Sequence, residues 1–536
     1  MMDTVEQVKP RITASFSRIS RRARTEGPAA LVVLCVMALA AAVRLPFVLG
    51  SDFPLNDGGL FYQMTEELRQ AHYVLPSYTA YNAAHIPFAY PPLGFYLAGL
   101  LADLGHWSLL TLFRFLPLVI NLLSVPAFYA LSRDLLPSPV QATVATLAFA
   151  LLPRSSMWLI MGGGIARAPG MLSMILALQQ AYRLYTHRQR RFALTTALLC
   201  ACTVLSHLET AWVLAVSMVL FFLAYGRRLR GLIDSALVAA LTLALTAPWW
   251  LTVISRHGLG VFVAASNDGW AFYSGLLDLF LLRPTPESPI PIVLELVAML
   301  GLLVCCARRR FLLPAWVLTV FALDPRAAAT TATPAVALLS AIGMIDGLWP
   351  ILDGGLLTSC AEKPAGRPKR WLPQVVFAAL LLSAVLSIML VSSTILPGVP
   401  LGERQAMAWV AANTPEGSRF VVIPDTVWEQ DAVCEWFPVL TGRVSVNTVQ
   451  GHEWLSDFST CITRYEALRK CAQGDVDCLD TWAARWNVSF AYVYISKQGA
   501  SKRDAANNAV LCDLSHDPHY DLIYNGSAAA IFRRKG

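Results

Sequence analysis

Charge is scarce in this chain. Of its 536 residues only 14% are Asp, Glu, Lys or Arg, while 56% are hydrophobic, and the mean hydropathy is positive. That balance excludes an ordinary soluble enzyme of this length. The 11 cysteines contain no CxxC spacing, so a zinc ribbon, a zinc finger or a dithiol redox site has no support. Internal repeats and low-complexity tracts are lacking as well. After residue 397 long apolar runs are missing too, which sets a C-terminal segment apart from everything before it.

What is present before that point is a membrane protein. Apolar stretches long enough for a ~30 Å hydrocarbon layer recur from residue 29 to residue 396, giving about 12 candidate spans. The net charge of +7 gathers in a basic tail, 1–28, and in the short connections "HRQRR" (187–191), "RRLR" (227–230), "RRR" (308–310) and "KPAGRPKR" (363–370). Such clustering is an orientation signal and not a nucleic-acid footprint, so no nucleic-acid partner is expected. With these clusters in the cytoplasm, 29–50 is a retained first span and not a cleaved signal. The outer connections are then 51–107, 154–166, the surroundings of 207, 256–288, 324–332 and the whole segment 397–536. The stretch 90–103 would reach only about 21 Å as a helix, so it is expected as a half-span opened by Pro91 and Pro92.

The fold expected is therefore an α-helical polytopic membrane domain, 29–396, with a first outer loop at 51–90. An extracytoplasmic α/β domain, 397–536, follows, beginning with the helix-like "GERQAMAWVAANT" and containing the strand-like "RFVVI" and "FAYVYI". Five cysteines lie in it (Cys434, Cys461, Cys471, Cys478 and Cys512), and an oxidising outer compartment favours one or two disulfides, the odd count leaving a free thiol.

The first outer loop, "SDFPLNDGGLFYQM", carries Asp52 and Asp57 ahead of an amphipathic pattern. Leu60, Phe61, Met64 and Leu68 form its apolar face, opposite Glu66, Glu67, Arg69 and Gln70, and such a helix would lie in the interface plane. Asp57 reads either as the N-cap of that helix or as a general base at the membrane surface; one carboxylate can do both. Asp52 reads as a solvated acid and as the second candidate base.

An acid near the start of the first outer loop, an amphipathic helix and then "AHIPFAYPPLGFYLAGLL" (84–101) resemble the GT-C superfamily of polytopic glycosyltransferases, which includes protein mannosyltransferases and lipid-A aminoarabinose transferases. The resemblance implies that Asp57, or failing it Asp52, is the catalytic carboxylate. It also implies that the donor is a polyprenyl-phosphate sugar reached from the bilayer, and that transfer to a glycan, lipid or protein acceptor inverts the anomeric centre. The chain departs from the pattern in one place. Metal-dependent relatives carry further acids in the second outer loop, whereas "PRSSMWLIMGGGIARAPG" (153–170) has none, so no cofactor is expected, and a divalent cation stays open without a second acidic motif to support it. Phosphate would fall to arginine: Arg154 and Arg167 in that loop, Arg326 in "DPR", and Arg256, with Arg44 as a further candidate. The glycines at 162–164 offer close backbone approach to a ligand. The bland reading of the loop is a mobile segment with a snorkelling arginine at each end.

His207 and Glu209, in "SHLET", interrupt an apolar double span; together with His257 and His85 they are candidates for holding sugar hydroxyls or acceptor. Read blandly, the pair marks a turn between two helices. The C-terminal stretch 434–454 is dense in Trp, His and Glu, with Trp436 and Trp454 read as core before they are read as sugar platforms. Two rival classes stay open: a transporter, which should show paired broken helices near the midplane, and a non-catalytic envelope protein whose outer domain binds a glycan or partner.

Overall fold

In the computed structural model the described residues are 8–187, 189, 191–266, 272–280, 285, 287, 292–353, 371–424, 426–497 and 509–535. The connection 363–370 lies outside them. The chain is a multi-pass membrane protein. Among the described residues six helices are long and apolar enough to cross a bilayer: Ala29–Gly50, Leu109–Leu135, Leu208–Tyr225, Leu229–His257, Thr333–Leu352 and Leu372–Ile395. Five more apolar helices (Leu93–Gly105, Pro139–Leu151, Arg191–Ser206, Val293–Ala307 and Leu312–Leu323) are shorter, and Gly164–His187 runs 24 residues with Arg167 and Arg183 in it. Only six of the about 12 expected spans are thus full-length apolar helices; the shorter helices do not fix the number of crossings. Leu93–Gly105 has 13 residues, a reach of about 20 Å, as a half-span requires.

The first span, Ala29–Gly50, has the expected bounds, and its helix continues back to Val8, since extending a formed helix avoids the nucleation cost of a separate element. One expectation changes. The amphipathic helix Gly59–Gln70 does not spend its apolar face on lipid. Leu60, Met64 and Leu68 are buried in one cluster with Phe95 and Ala98 of Leu93–Gly105, and Arg69 on the other face donates to Glu66 at 2.7 Å and Asp103 at 2.6 Å.

Within the bundle, small residues let backbones meet. A Cβ on Gly301 would strike the Leu339 carbonyl, and one on Gly343 the Val297 carbonyl, so Val293–Ala307 and Thr333–Leu352 touch along their backbones. There Ser340 donates to Leu294 O at 2.9 Å.

The C-terminal region forms a five-stranded sheet in the order β4-β3-β5-β7-β6, where β3 is Arg419–Ile423, β4 Val444–Ser445, β5 Tyr492–Ser496, β6 Tyr520–Asn525 and β7 Ala529–Arg534. A two-stranded ribbon of β1 (Tyr78–Thr79) and β2 (Ile86–Pro87) sits in the first loop. β3 runs parallel to β4 and β5, while β7 is antiparallel to β5 and β6. The period of two along β3 explains the layers. Phe420 and Val422 join Met407, Val410 and Trp436 on one face; Val421 and Ile423 join Leu468, Leu479 and Trp482 on the other. A Cys471–Cys478 disulfide ties Phe458–Cys471 to Val476–Arg485.

Candidate active site

Asp57 is held by backbone, charge and the absence of side chains opposite it. Its Oδ1 accepts the Gly163 amide at 2.8 Å, and its Oδ2 is ion-paired with Arg167. A Cβ on Gly162 would collide with the Asp57 carbonyl, and one on Gly163 would lie 2.7 Å from Asp57 Oδ2. The glycines therefore admit the first loop rather than a ligand. Because Gly163 precedes helix Gly164–His187, the carboxylate sits at the positive end of that helix, where a negative charge is favoured. It does not cap its own helix: the N-cap of Gly59–Gln70 is Gly58, at φ +115, with no side-chain cap.

That duty passes to a residue the sequence reading did not single out. Glu435, in helix Ala432–Thr441 of the C-terminal domain, accepts the Gly58 amide at 2.8 Å. Burial, and then the negative charge of Asp57, push its carboxyl up to about 8. The surrounding contact is extensive. Trp436 Nε1 donates to Asn56 O at 2.9 Å and Tyr81 Oη to Glu435 O at 2.7 Å. Asn82 exchanges two hydrogen bonds with the Ser445 backbone at 2.8 and 2.9 Å. The C-terminal domain is thus part of what positions Asp57. Trp436 is core, as expected of it, fully buried and edge-on to Phe53 at 4.7 Å.

Asp57 opens on a cavity of about 780 Å³ lined also by Arg154, Arg167, His207, Glu209 and Arg326. Six of the sequence candidates therefore share one space. Around it, each arginine faces a carboxylate and an aromatic ring. Arg154 Nε donates to Glu287 at 2.9 Å and lies 5.4 Å from the Trp158 ring. Arg167, paired with Asp57, lies 5.5 Å from the same ring. Arg326 stands 3.5 Å from Glu209 and 5.8 Å from Trp428. His207 caps helix Leu208–Tyr225, its Nδ1 accepting the Thr210 amide at 3.3 Å, which leaves Nε2 3.7 Å from Glu209. "SHLET" is both a turn between helices and a wall of the cavity. The loop 153–170 is likewise no mobile segment, since Ser155, Met157, Leu159 and Ile160 are buried.

Every expected outer connection contributes described residues to the cavity: Asp57 and Tyr90 from the first, Arg154 and Arg167, His207 and Glu209, then Ala265, Ser274 and Glu287, Pro325 and Arg326, and, from the C-terminal domain, Trp428 and Glu453. These connections meet at one end of the bundle. Contacts such as Arg183 to Asp134 at 2.8 Å, and Gln141 to Asp346 at 3.0 Å, join the other end.

The remaining candidates lie elsewhere. Asp52 is 65% exposed in its side chain and ion-paired with Arg404 of the C-terminal domain, so it is a domain contact and not a second base in the cavity. Arg256 donates to the carbonyls of Leu75 and Pro76 at 2.6 and 3.0 Å. His85 stacks on Tyr78 at 3.8 Å, and His257 meets the same ring edge-on at 4.9 Å. These three fasten the first loop to the end of Leu229–His257 instead of lining the cavity. Arg44 is buried inside the bundle, donating to Ala150 O at 2.9 Å. Loop positions scatter because a side chain's direction there depends on contacts remote in sequence.

Glu287, Glu429, Glu435, Glu453, Tyr90 and Trp158 also line the cavity and were missed as individual residues. The signal for two of them was present in the Trp- and Glu-rich stretch 434–454, where the tryptophans drew the attention. Burial raises the carboxyls of Glu429 and Glu453 above the ordinary glutamate range.

No family model matches the chain, and no curated protein does. Solved structures do match. An oligosaccharyltransferase, AglB from Archaeoglobus fulgidus, in complex with an inhibitory peptide and a dolichol-phosphate, aligns with a TM-score of 0.55 at 16% identity, over 87% of this chain and 69% of that one. ArnT from Cupriavidus metallidurans bound to undecaprenyl phosphate aligns at 0.52 and 14% identity, over 95% of this chain and 98% of that one. The mycobacterial arabinofuranosyltransferase AftD aligns at 0.51 and 18% identity, over 93% of this chain but only 41% of its own length. The chain shares the fold of these three membrane proteins.

Proposed function

We propose that this chain is a membrane glycosyltransferase that moves a sugar from a polyprenyl-phosphate carrier to an acceptor hydroxyl on the extracytoplasmic side, with Asp57 as general base. The observation that carries the reading is the Asp57 carboxylate, clasped by the Gly163 amide and Arg167 at the wall of a cavity that two further arginines line. A volume of about 780 Å³ falls within the usual range of ~300–1,000 Å³ for ligand sites.

The acceptor oxygen forms a bond to the anomeric carbon as the carbon–oxygen bond to phosphate breaks, and the bonding pair leaves with the phosphate. Asp57 takes the acceptor proton. Phosphate is a good leaving group, so its developing charge needs cations and no general acid. Arg167 serves both ends of the reaction: a phosphate arriving at its guanidinium competes with Asp57 Oδ2 and releases that oxygen to accept the proton. The basic connections, held in the cytoplasm by the distribution of Lys and Arg, put the cavity and the C-terminal domain outside.

A divalent cation at Asp57 would need converging carboxylates. Instead the two Asp57 oxygens meet an amide and a guanidinium, Glu435 turns to the Gly58 amide, and among the described residues no three ligating groups converge in the cavity. The donor set does not fit a cation there, and the reaction as written uses none.

The test is Asp57→Asn in detergent-solubilised protein, assayed for release of polyprenyl phosphate from a panel of polyprenyl-phosphate sugars and for retention of labelled polyprenyl phosphate. Turnover should fall by roughly 10²–10⁴-fold while carrier binding survives. A variant with undiminished turnover sinks the assignment of Asp57, and a wild-type protein that neither binds nor turns over any carrier sinks the transferase reading.

A further inference from the structure

We infer that His452, Asp457 and Cys461, on the C-terminal domain, form a binding site for a transition-metal ion of the zinc class, with three protein ligands and an open fourth position. The sequence offered no CxxC pair, and the three ligands instead come from an H-x4-D-x3-C spacing. Asp457 and Cys461 are one helical turn apart at the start of Phe458–Cys471, so they face the same way. His452 begins the short helical turn His452–Trp454 immediately before.

The donor atoms converge. His452 Nδ1 lies 2.9 Å from Asp457 Oδ1 and 3.2 Å from Cys461 Sγ, and that sulfur lies 3.6 Å from Asp457 Oδ2. Metal–nitrogen and metal–oxygen bonds of ~2.0–2.2 Å and a metal–sulfur bond of ~2.3 Å subtend tetrahedral edges of roughly 3.3–3.6 Å. Closing around an ion therefore asks only for shifts of a few tenths of an ångström. A nucleophilic triad is a poorer description. There the acid and the nucleophile engage opposite nitrogens of the imidazole, whereas here the carboxylate and the sulfur approach the same one.

The mixed nitrogen, oxygen and sulfur set suits zinc and disfavours magnesium or calcium. An ion entering displaces the thiol proton and takes a thiolate, a carboxylate and a neutral imidazole, so the two charges of the metal are balanced. Arg464 Nη2, 3.6 Å from the sulfur, is placed to donate to that thiolate from outside the ligand set. Cys461 is buried, while the Asp457 side chain is 51% exposed, which gives the ion an entry side.

The site is outside the catalytic cavity, yet it adjoins one wall. Glu453 and Trp454 line the cavity and belong to the same helical turn as His452. Phe458, the first residue of the liganding helix, lies 5.7 Å from the Arg326 guanidinium. A bound ion would pin that turn to that helix and hold this wall in place.

The experiment uses the full-length protein in detergent, stripped with a chelator and titrated with Co²⁺ as a spectroscopic probe. The expected result is saturable near-ultraviolet thiolate-to-cobalt absorption together with a rise in melting temperature. Both should disappear in Cys461→Ser and in His452→Ala, and both should persist in Cys512→Ser, which removes an exposed thiol. Arg464→Gln should keep the band and weaken cobalt binding by roughly 10-fold. Melting curves without metal check that the variants fold. Absence of the band in folded wild-type protein, or a band that survives Cys461→Ser, overturns the site. Neither result bears on Asp57, whose assay is separate.

Discussion

The cavity has two dissimilar walls. The membrane wall carries arginines, each set against a carboxylate: Arg154 with Glu287, Arg167 with Asp57, and Arg326 with Glu209. The wall from the C-terminal domain carries Glu429, Glu435, Glu453, Trp428 and Trp454, and burial pushes its glutamates above their usual acidity range. The first wall has cations to share with a phosphate once their partners are displaced. The second has hydrogen-bonding carboxyls and aromatic faces, the chemistry that meets sugar hydroxyls and rings. On the proposed reading, this asymmetry would set donor phosphate and acceptor on opposite sides of one space.

Removing a cation should break the membrane wall first. Arg167→Ala takes away both the phosphate partner and the charge that orients Asp57, so turnover per donor bound should fall by roughly 10²–10³-fold. Arg167→Lys should recover part of this, because a point charge remains while the planar fork is lost. Steady-state rates against donor concentration check both, and equal activity in the alanine variant would contradict the division of labour.

A gentler break acts on the backbone behind Asp57. In Gly163→Ala the new Cβ would sit 2.7 Å from Asp57 Oδ2, an overpacking that costs about 1–3 kcal/mol. The same Cβ would press still closer on Arg167 Nη2, so turnover should fall through both partners of the clasp, while Arg154 and Arg326 keep part of carrier binding.

The wall from the C-terminal domain is best probed with pH. Glu435 has a folded pKa of about 8 against an ordinary 4.5, so its neutral form is the one the fold favours. The stability this contributes is fully present below about pH 4.5 and is lost as pH rises through about 8. Melting temperature should therefore decline across that window, and Glu435→Gln should flatten the decline. A profile unchanged by the substitution would place the titration elsewhere.

Two smaller effects sharpen the contrast. Reducing or replacing Cys471–Cys478, a bridge of sequence separation 7, should cost about 2–3 kcal/mol of domain stability, read by denaturant titration, with carrier binding intact. Asp52→Asn should do least. Its partner Arg404 is partly buried but Asp52 itself is 65% exposed, a setting in which ion pairs contribute about 0–1 kcal/mol, so turnover should stay within roughly twofold.

Much of this was legible in the residues. The importance of Asp57 to the first loop, the arginines of the acid-free loop 153–170 and the interruption at His207 and Glu209 all stood out because charge at membrane depth is costly and rarely incidental. Glu435 did not stand out. Its site contact is to the backbone of Gly58, 377 residues away, and no local pattern announces a cap supplied from another domain. The glycines at 162–163 were noticed for the wrong partner, since only packing reveals that the first loop fills the space a ligand was expected to take.

Composition and charge placement were sufficient for a many-helix membrane protein with a separate α/β domain, because hydrocarbon and water sort residues by type alone. Which of the candidate residues share a cavity was settled by tertiary structure. Asp57, Arg154, Arg167, His207, Glu209 and Arg326 come together there, and Asp52, His85, Arg256 and His257 do not. Convergence of loops from different helices depends on how those helices pack and on a domain folded hundreds of residues later, and neither is encoded in the neighbourhood of any one of them.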